Sequence, residues 1–564
     1  MLEDHWVEVA LFICCAGGLP FAFFVITEVA RFFKSADELP LVQQFTVFQG
    51  YAALMFFGYI REAYRYFVPA AGRATPDGYA PVVRDFDDFY TRRLYNRIQD
   101  AWNRPLNTRA GRTIGVMERK RVTGSGGTMD MPLTGTTRNC INMASYNYLG
   151  FAEDLPQVTE ANLDSLERLG TGACASTVEG GRSTVEERLC TETAAFVGKK
   201  AAVVYAMGFG TNFSGLPALF SPGTLVLSDS LNHSSLVAGL RVCHGVKVRV
   251  FPHNNYKVLE SMVRAAILQG QHPKPMQWKR IVIVVEGVYS MEGEVVDLPA
   301  VVAIKKKYRC MLYVDEAHSI GALGATGRGV CEYHGVDPKD VDILMGTFTK
   351  SFGSIGGYIA SDDDRLIRYL QRHSGASVFG DSLFSAAATQ ALTSLMVIQG
   401  KDGTSVGRDK IRRLAQNSAY LRAQLHKLGV HTLGEASSPV IPLLVYNPAK
   451  ISAFSRECLK RDVAVVVVGY PATPLEGGRS RLCVSASHTK EDLDHVVAAI
   501  DDFASDMSIR YQFRFYHLFG LFKGPLPWKP PPVQSNSPAS PERGNAVAPE
   551  VAASGTPKTP KARK

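Results

Sequence analysis

Between residues 202 and 360 seven short apolar runs recur, at 202–205, 225–227, 246–251, 281–285, 311–314, 343–345 and 358–360. Most are separated by stretches long enough to hold a helix. Runs this short and this continuously apolar read as strands buried on both faces, and intervening helices supply the crossovers that parallel strands require. The pattern predicts a large α/β domain with a mostly parallel sheet. The alternation resumes on a smaller scale after residue 401, with strands at 440–445 and 463–468, and predicts a smaller C-terminal α/β domain.

Two of the runs deliver chemistry. Leu312-Tyr313-Val314 ends in Asp315, and His318 follows three residues later. The run at 343–345 leads into Gly346-Thr347-Phe348-Thr349-Lys350-Ser351-Phe352-Gly353. Ligands of open α/β sheets bind beyond the carboxyl ends of the strands, so both segments point to one site. A lysine for an aldehyde, an acid for a ring nitrogen and hydroxyls for a phosphate together fit pyridoxal phosphate (PLP). Lys350 is boxed by Thr347, Thr349, Ser351, Gly353, Gly356 and Gly357, which leave room for a bulky aldehyde. Partial burial there lowers the lysine pKa and frees its amine. Strand-end acids such as Asp315-Glu316 also hold magnesium in nucleotide hydrolases. Those enzymes carry a Gly-x4-Gly-Lys-Ser/Thr loop, which this sequence lacks, and no metal site is predicted.

Gly208-Phe209-Gly210-Thr211-Asn212 follows the first run. It departs from a dinucleotide fingerprint because position 213 is Phe, where close helix–strand packing needs a small residue. Gly170-Thr171-Gly172-Ala173-Cys174-Ala175 fits that pattern loosely but follows residues 163–169, which read as a helix. A glycine turn at 208–212 presenting backbone N–H groups to a single phosphate is the better reading. His233 follows another strand, where it is placed to stack on an aromatic ring. Arg479 and Arg481 are candidates for a bidentate clamp on a substrate carboxylate.

The ends of the chain differ from its middle. Residues 9–27 carry no charge, and 19 residues approach the roughly 20 that span a bilayer. Residues 39–60 form a second uncharged run, made more amphipathic by Gln43, Gln44 and Gln49. Their phenylalanine content favours a membrane, one run spanning and the other lying in the interface. Glu3 and Asp4 argue against a signal peptide. A helix is predicted over 85–102 from the spacing of Phe86, Phe89, Tyr90, Leu94 and Ile98. Beyond Tyr516 the prolines give way to Ser, Ala, Pro and Lys, a disordered composition. From Lys523 onward seven Lys/Arg and two Glu supply +5 of the formal +9. No basic helix interleaved with aromatics remains to argue for nucleic acid. The ten cysteines make no CxxC pair, consistent with reduced thiols facing the cytosol. The predicted organisation is a membrane-associated segment (1–70), a linker and N-terminal arm (71–140), a large PLP-binding domain (141–400), a small C-terminal domain (401–512) and a basic Pro/Ser-rich tail (513–564).

Longer segments carry a resemblance. They are residues 89–95, Trp102-Asn103-Arg104-Pro105, Ser145-Tyr146-Asn147-Tyr148-Leu149-Gly150-Phe151, residues 286–293, 315–324 and 346–357, and Gly469-Tyr470-Pro471-Ala472-Thr473-Pro474. Together they resemble the α-oxoamine synthases, fold-type I PLP-dependent transferases (aspartate aminotransferase-like) that join an amino acid to an acyl-CoA. Within that family the likeness, over residues 45–512, is to the catalytic subunits of the serine palmitoyltransferase group. The resemblance implies a decarboxylating condensation of L-serine with palmitoyl-CoA to 3-oxosphinganine, the first step of sphingolipid biosynthesis. It implies that Lys350 carries the cofactor, that Asp315 and His318 meet its ring nitrogen and ring oxygen, and that His233 stacks on the ring. Thr347, Thr349, Gly208 and Phe209 would hold the phosphate, with Ser290 nearby. Arg481, ahead of Arg479, would bind the substrate carboxylate, and Tyr146 and Asn147 would line the amino-acid pocket. The implied partners are a paralogous subunit that binds no PLP, in a heterodimer, and small regulatory membrane subunits. The implied location is the endoplasmic reticulum membrane, with the catalytic domain facing the cytosol. A synthase using glycine or alanine, and a non-catalytic scaffold subunit, are the alternative readings. The segment 177–182 and Asp381 depart from the family pattern.

Overall fold

The computed structural model describes residues 47–50, 52–60, 95–123, 129–271, 276–470, 472–474 and 477–510. Residues 9–27, the linker and the C-terminal tail lie outside these, as does Pro471 of the segment 469–474.

The chain enters through an antiparallel pair, β1 (Thr113–Arg119) and β2 (Leu133–Asn142). The large sheet is then built from β3 (Ala201–Tyr205), β4 (Thr224–Asp229), β5 (Lys247–Phe251), β6 (Arg280–Glu286), β7 (Met311–Asp315), β8 (Ile343–Thr347) and β9 (Gly357–Ser361). Its strand order is β3-β9-β8-β7-β6-β4-β5. All pairs are parallel except those made by β9, which runs against both β8 and β3. All seven predicted strands are present. Their continuous hydrophobicity is explained by helices on both faces: β4, β8 and β9 are buried along their whole length. A fully buried Val, Leu or Ile contributes roughly 1.5–3 kcal/mol, so central residues such as Leu227, Ile283 and Val314, all 0% exposed, anchor this layer.

The helices that matter to the site follow directly from strands. Helix α1 (Gly208–Leu219) leaves β3, and α2 (Ser234–Arg241) leaves β4. Helix α3 (Leu298–Tyr308) starts on an Asp297 cap, whose carboxylate accepts from the Ala300 N–H. The predicted glycine turn at 208–212 is the first turn of α1. Its N–H groups at Gly208, Phe209 and Gly210 precede the first intrahelical bond, Thr211 N to Met207 O at 2.9 Å.

The C-terminal part carries α4 (Val406–Lys427), a three-stranded antiparallel sheet and two covering helices, α5 (Pro448–Lys460) and α6 (Lys490–Ala504). The sheet is β10 (Val440–Tyr446), β12 (Val466–Val468) and β13 (Gly478–Cys483), in the order β10-β13-β12. The run predicted as one strand at 463–468 is broken. β11 (Val463–Ala464) instead joins β2 in parallel, so this stretch ties the N-terminal arm to the C-terminal part. The helix predicted over 85–102 is described only from 95, where it is a 3-10 helix, Tyr95–Ala101, kinked at Ile98. The described part of the second hydrophobic run is helical over 47–50 and 52–60. Among the described residues no helix is long and apolar enough to cross a membrane.

Candidate active site

The site forms where the parallel strands end. β7 delivers Asp315, which is 3% exposed. Its Oδ2 accepts from Asn212 Nδ2 at 2.8 Å and its Oδ1 from the Ala317 N–H at 2.9 Å. Asn212 is itself fixed, accepting from the Tyr313 hydroxyl at 2.6 Å and donating to Ser235 Oγ at 2.9 Å. All these partners are neutral, so they aim the carboxylate without neutralising it.

His318 lies one turn beyond, with its Nδ1 2.8 Å from the Tyr148 hydroxyl. Burial, reinforced by the charges of Lys350 and Arg481, holds this imidazole well below its usual range. It is therefore neutral near pH 7. His233 caps α2: its Nδ1 accepts from the Ser235 N–H at 3.2 Å, and its own N–H donates to the Glu286 carboxyl. Burial lowers its pKa too, against the pull of Asp315. Glu286 ends β6 as Asp315 ends β7, and the two residues are paired in register. Burial, then the Asp315 charge, push the Glu286 carboxyl well above the usual carboxylate range.

Lys350 follows β8. The residue is partly exposed by surface area, but protein packs closely around its amine. That burial pulls its pKa down to about 8, against the Asp315 and Glu286 charges. Its Nζ lies 5.3 Å from the Tyr146 ring centre, and the Arg481 guanidinium lies 4.5 Å from the same ring. Tyr146 also meets the His318 ring edge-on, with centroids 5.0 Å apart. Burial pushes its hydroxyl up to about 12. Lys350, Arg481, His318 and Tyr146 thus occupy one chamber, and electrostatic coupling places Asp315 and His233 beside them.

The two arginines of β13 are used differently. Arg479 is spent internally, donating to Met291 O at 2.7 Å, Gly477 O at 2.8 Å and Glu292 Oε1 at 3.2 Å. Arg481 meets the Tyr146 ring, Met291 Sδ at 3.8 Å and the Cys483 thiol, and its buried Nε has no hydrogen-bond partner among the described residues. Ser290 sits between Tyr289 and this Met291. Asn147, expected in the amino-acid pocket, has both ends of its amide engaged: Nδ2 with Ala110 O at 2.9 Å and Oδ1 with the Ala152 N–H at 3.1 Å.

The end of β8 and the start of α1 form a small polar cradle. Thr347 Oγ1 is 2.8 Å from Thr349 Oγ1 and donates to Gly356 O at 2.8 Å. A Cβ on Gly208 would come within 2.8 Å of Thr347 Oγ1. The free N–H groups at the start of α1 and these two hydroxyls therefore share one small space, which only glycine leaves open. The residues fit a phosphate-bearing aromatic aldehyde: an amine at reduced pKa, an aimed carboxylate, an anion cradle and an unsatisfied guanidinium. Among the described residues no cluster of His, Cys, Asp or Glu suits a metal ion.

Sequence reading passed over Asn212, Tyr148 and Glu286. One carried a signal. Glu286 ends an apolar strand in the same way as Asp315.

Comparison with known proteins agrees with this geometry. Residues 138–500 match the aminotransferase class I and II family. A relative from Dictyostelium discoideum, serine palmitoyltransferase 2, is 48% identical over 85% of this chain and 97% of its own length. Human serine palmitoyltransferase 3 is 44% identical over 85% of this chain and 87% of its own. Long chain base biosynthesis protein 2a of Arabidopsis thaliana is 45% identical over 84% and 96%. Among solved structures, serine palmitoyltransferase from Sphingomonas wittichii superposes with a TM-score of 0.66 at 26% identity, covering 76% of this chain and all of that one. A structure described as SPT with PLP internal aldimine gives a TM-score of 0.61 at 26% identity, over 67% and 90%.

Proposed function

The chain belongs to the aminotransferase class I and II family and, within it, to the serine palmitoyltransferases; from that premise we propose how its residues perform the reaction. The chain is a PLP-dependent acyltransferase of sphingolipid synthesis. It condenses L-serine with palmitoyl-CoA and a proton to give 3-oxosphinganine, CO2 and CoA. The observation that carries the reading is the convergence of Lys350, His318 and Arg481 on Tyr146, with Asp315 electrostatically coupled to Lys350, together with the Gly208–Thr347 cradle.

When bound, pyridoxal phosphate supplies a carbonyl carbon for an amine and a ring that accepts electron density from the amino-acid α-carbon. Lys350 Nζ is the amine that would hold it. With its pKa near 8, the same Nζ, once released, would be the base for the proton of the serine α-carbon. Asp315, its carboxylate held in place by Asn212 and the Ala317 N–H, would serve the ring nitrogen. Neutral His318, oriented by Tyr148, would donate to the ring oxygen, and His233 would stack on the ring. Thr347, Thr349 and the N–H groups of Gly208 and Phe209 would hold the phosphate. Ser290 lies beside the serine position. Arg481 brings its unsatisfied Nε–H to the serine carboxylate until that group leaves as CO2. Tyr146 lines the pocket, while Asn147 braces its loop from behind.

We propose further that residues 9–27 and 39–60 attach the chain to the endoplasmic reticulum membrane with its catalytic part in the cytosol. Support comes from the helix at 52–60, which leaves Phe56, Phe57 and Ile60 exposed. A heterodimer with a paralogue that binds no PLP is supported by exposed Met207 and Phe209 at the mouth of α1 and by Phe379, 89% exposed, next to a helix packed on α1. Small regulatory membrane subunits would join this assembly. In this arrangement residues 141–400 form a large PLP-binding domain and 401–512 a small C-terminal one. The test is acyl-CoA-dependent release of CO2 from carboxyl-labelled serine by the full chain, co-expressed with a paralogue, and its loss in Lys350→Ala. Release without acyl-CoA would refute the condensation.

A further inference from the structure

A second cavity, of about 460 Å³, is lined by β1, β2, the 3-10 helix Tyr95–Ala101 and α5. None of its lining residues belongs to the site described above. Six cations line it (Arg104, Arg119, Lys120, Arg138, Arg456 and Lys460) against two carboxylates, Asp100 and Glu118. Both carboxylates are already taken. Arg456 grips Asp100 through two bonds, at 2.6 and 2.7 Å, and Arg138 holds Glu118 at 3.1 Å.

Arg104 and Arg119 are left with carbonyls alone. Arg104 donates to Asp100 O at 3.2 Å and Ser455 O at 3.4 Å, and Arg119 to Trp102 O at 2.7 Å and Gln99 O at 3.3 Å. Among the described residues no carboxylate lies within ion-pair distance of either. Burial pulls the Arg104 pKa down; the Asp100 charge opposes this and the Arg119 charge adds to it. Arg104 has only a share of Asp100, which Arg456 already grips, and Arg119 has carbonyls alone, so two half-buried arginines on one cavity wall are a costly arrangement unless an anion visits. A guanidinium pair matches the fork geometry of phosphate oxygens.

We propose that this cavity binds a phosphate-bearing ligand, with Arg104 and Arg119 as its anchors and Lys120 at its open edge. Two sources share that chemistry, a soluble phosphate ester and a phospholipid headgroup. The structure favours the headgroup. Helix α5, whose last turn supplies Arg456, Leu459 and Lys460 to the cavity, starts at Asn447. The helical segment 47–50 reaches that start: a Cβ on its Gly50 would meet Asn447 Nδ2 at 3.1 Å. The segment that carries exposed Phe48 and the basic cavity thus both border α5. The choice of the lipid source rests on the membrane association proposed above. The anion site itself does not.

The experiment is calorimetric titration of the full-length PLP-loaded protein with inorganic pyrophosphate and, in a second arm, with a short-chain, water-soluble phosphatidic acid. The wild type is expected to bind both, the lipid more tightly. Arg119→Gln should weaken binding by about tenfold, the loss of one charge-assisted bond, while serine condensation stays at the wild-type level. Lys120→Gln, on an exposed side chain, gives a second reading with a smaller loss and no burden on folding. Binding of pyrophosphate alone keeps the anion site and moves the source to a soluble ester. No binding in either arm, or equal binding by both variants and wild type, would overturn the proposal. Because the readout is binding, its failure is separable from any failure of the catalytic reading.

Discussion

Asn212 Nδ2 and Asp315 Oδ2 are 2.8 Å apart at the floor of the active site, and Asn212 is held there by the Tyr313 hydroxyl. This pairing keeps a buried carboxylate pointed, because the amide that holds it is itself fixed by Tyr313. Replacing Asn212 by Leu should free Asp315 to turn and weaken PLP binding by about tenfold, as expected for losing a hydrogen bond to a charged group. Fluorescence titration of the apoprotein with PLP measures this. The circular dichroism spectrum should stay unchanged.

Tyr148 plays the matching role for His318. Tyr148→Phe removes the 2.8 Å bond to Nδ1 and little volume. The ring should lose its fixed orientation, with kcat falling by roughly three- to tenfold. KM for serine should hold nearly constant, since no substrate contact is removed.

The β13 arginines should separate in kinetics. Arg481→Lys gives up the planar fork, so KM for serine should rise by about tenfold or more while KM for acyl-CoA is unaffected. Arg479→Lys should instead loosen the segment at Met291, whose carbonyl Arg479 holds at 2.7 Å, and show mainly as a lower melting temperature.

His253 offers a pH test of stability. It bonds Asp229 at 2.9 Å and Glu294 at 3.2 Å and meets the Tyr289 ring edge-on at 4.3 Å. Burial opposes its charge, but the two carboxylates prevail and push it up to about 9. The folded value lies above the unfolded one. Its contribution is therefore full below about pH 6.5 and disappears as pH rises through 9. His253→Gln should cost roughly 1–3 kcal/mol at pH 6 and much less at pH 10. Paired chemical denaturation curves at the two values decide it.

Much of this was legible before the fold was known, and the reasons are particular. The strands showed because burial on both faces demands unbroken hydrophobicity, and Asp315 and Lys350 showed because a strand end is where such a sheet binds ligands. The reversed direction of β9 was also readable. Only nine residues separate Thr347 from Gly357, too few for the crossover a parallel strand needs. Asn212 and Tyr148 were not, because nothing in their local spacing shows that they reach Asp315 and His318. Those contacts span 103 and 170 residues of chain and exist only once the sheet closes. Asn147 has a second task that its motif does not reveal: its amide ties the loop to Ala110 and Ala152.

The Lys350 amine carries the account. Its pKa near 8 predicts that the rate of PLP capture by apoprotein rises about tenfold per pH unit below 8 and levels above it; an unshifted lysine would keep rising toward pH 10.5. The most direct measurement is borohydride reduction of the PLP-loaded protein followed by peptide mapping. The phosphopyridoxyl mass is expected on Lys350 and on no other lysine, and to vanish in Lys350→Ala. An unmodified Lys350 in a folded preparation that still condenses serine with acyl-CoA would contradict the account.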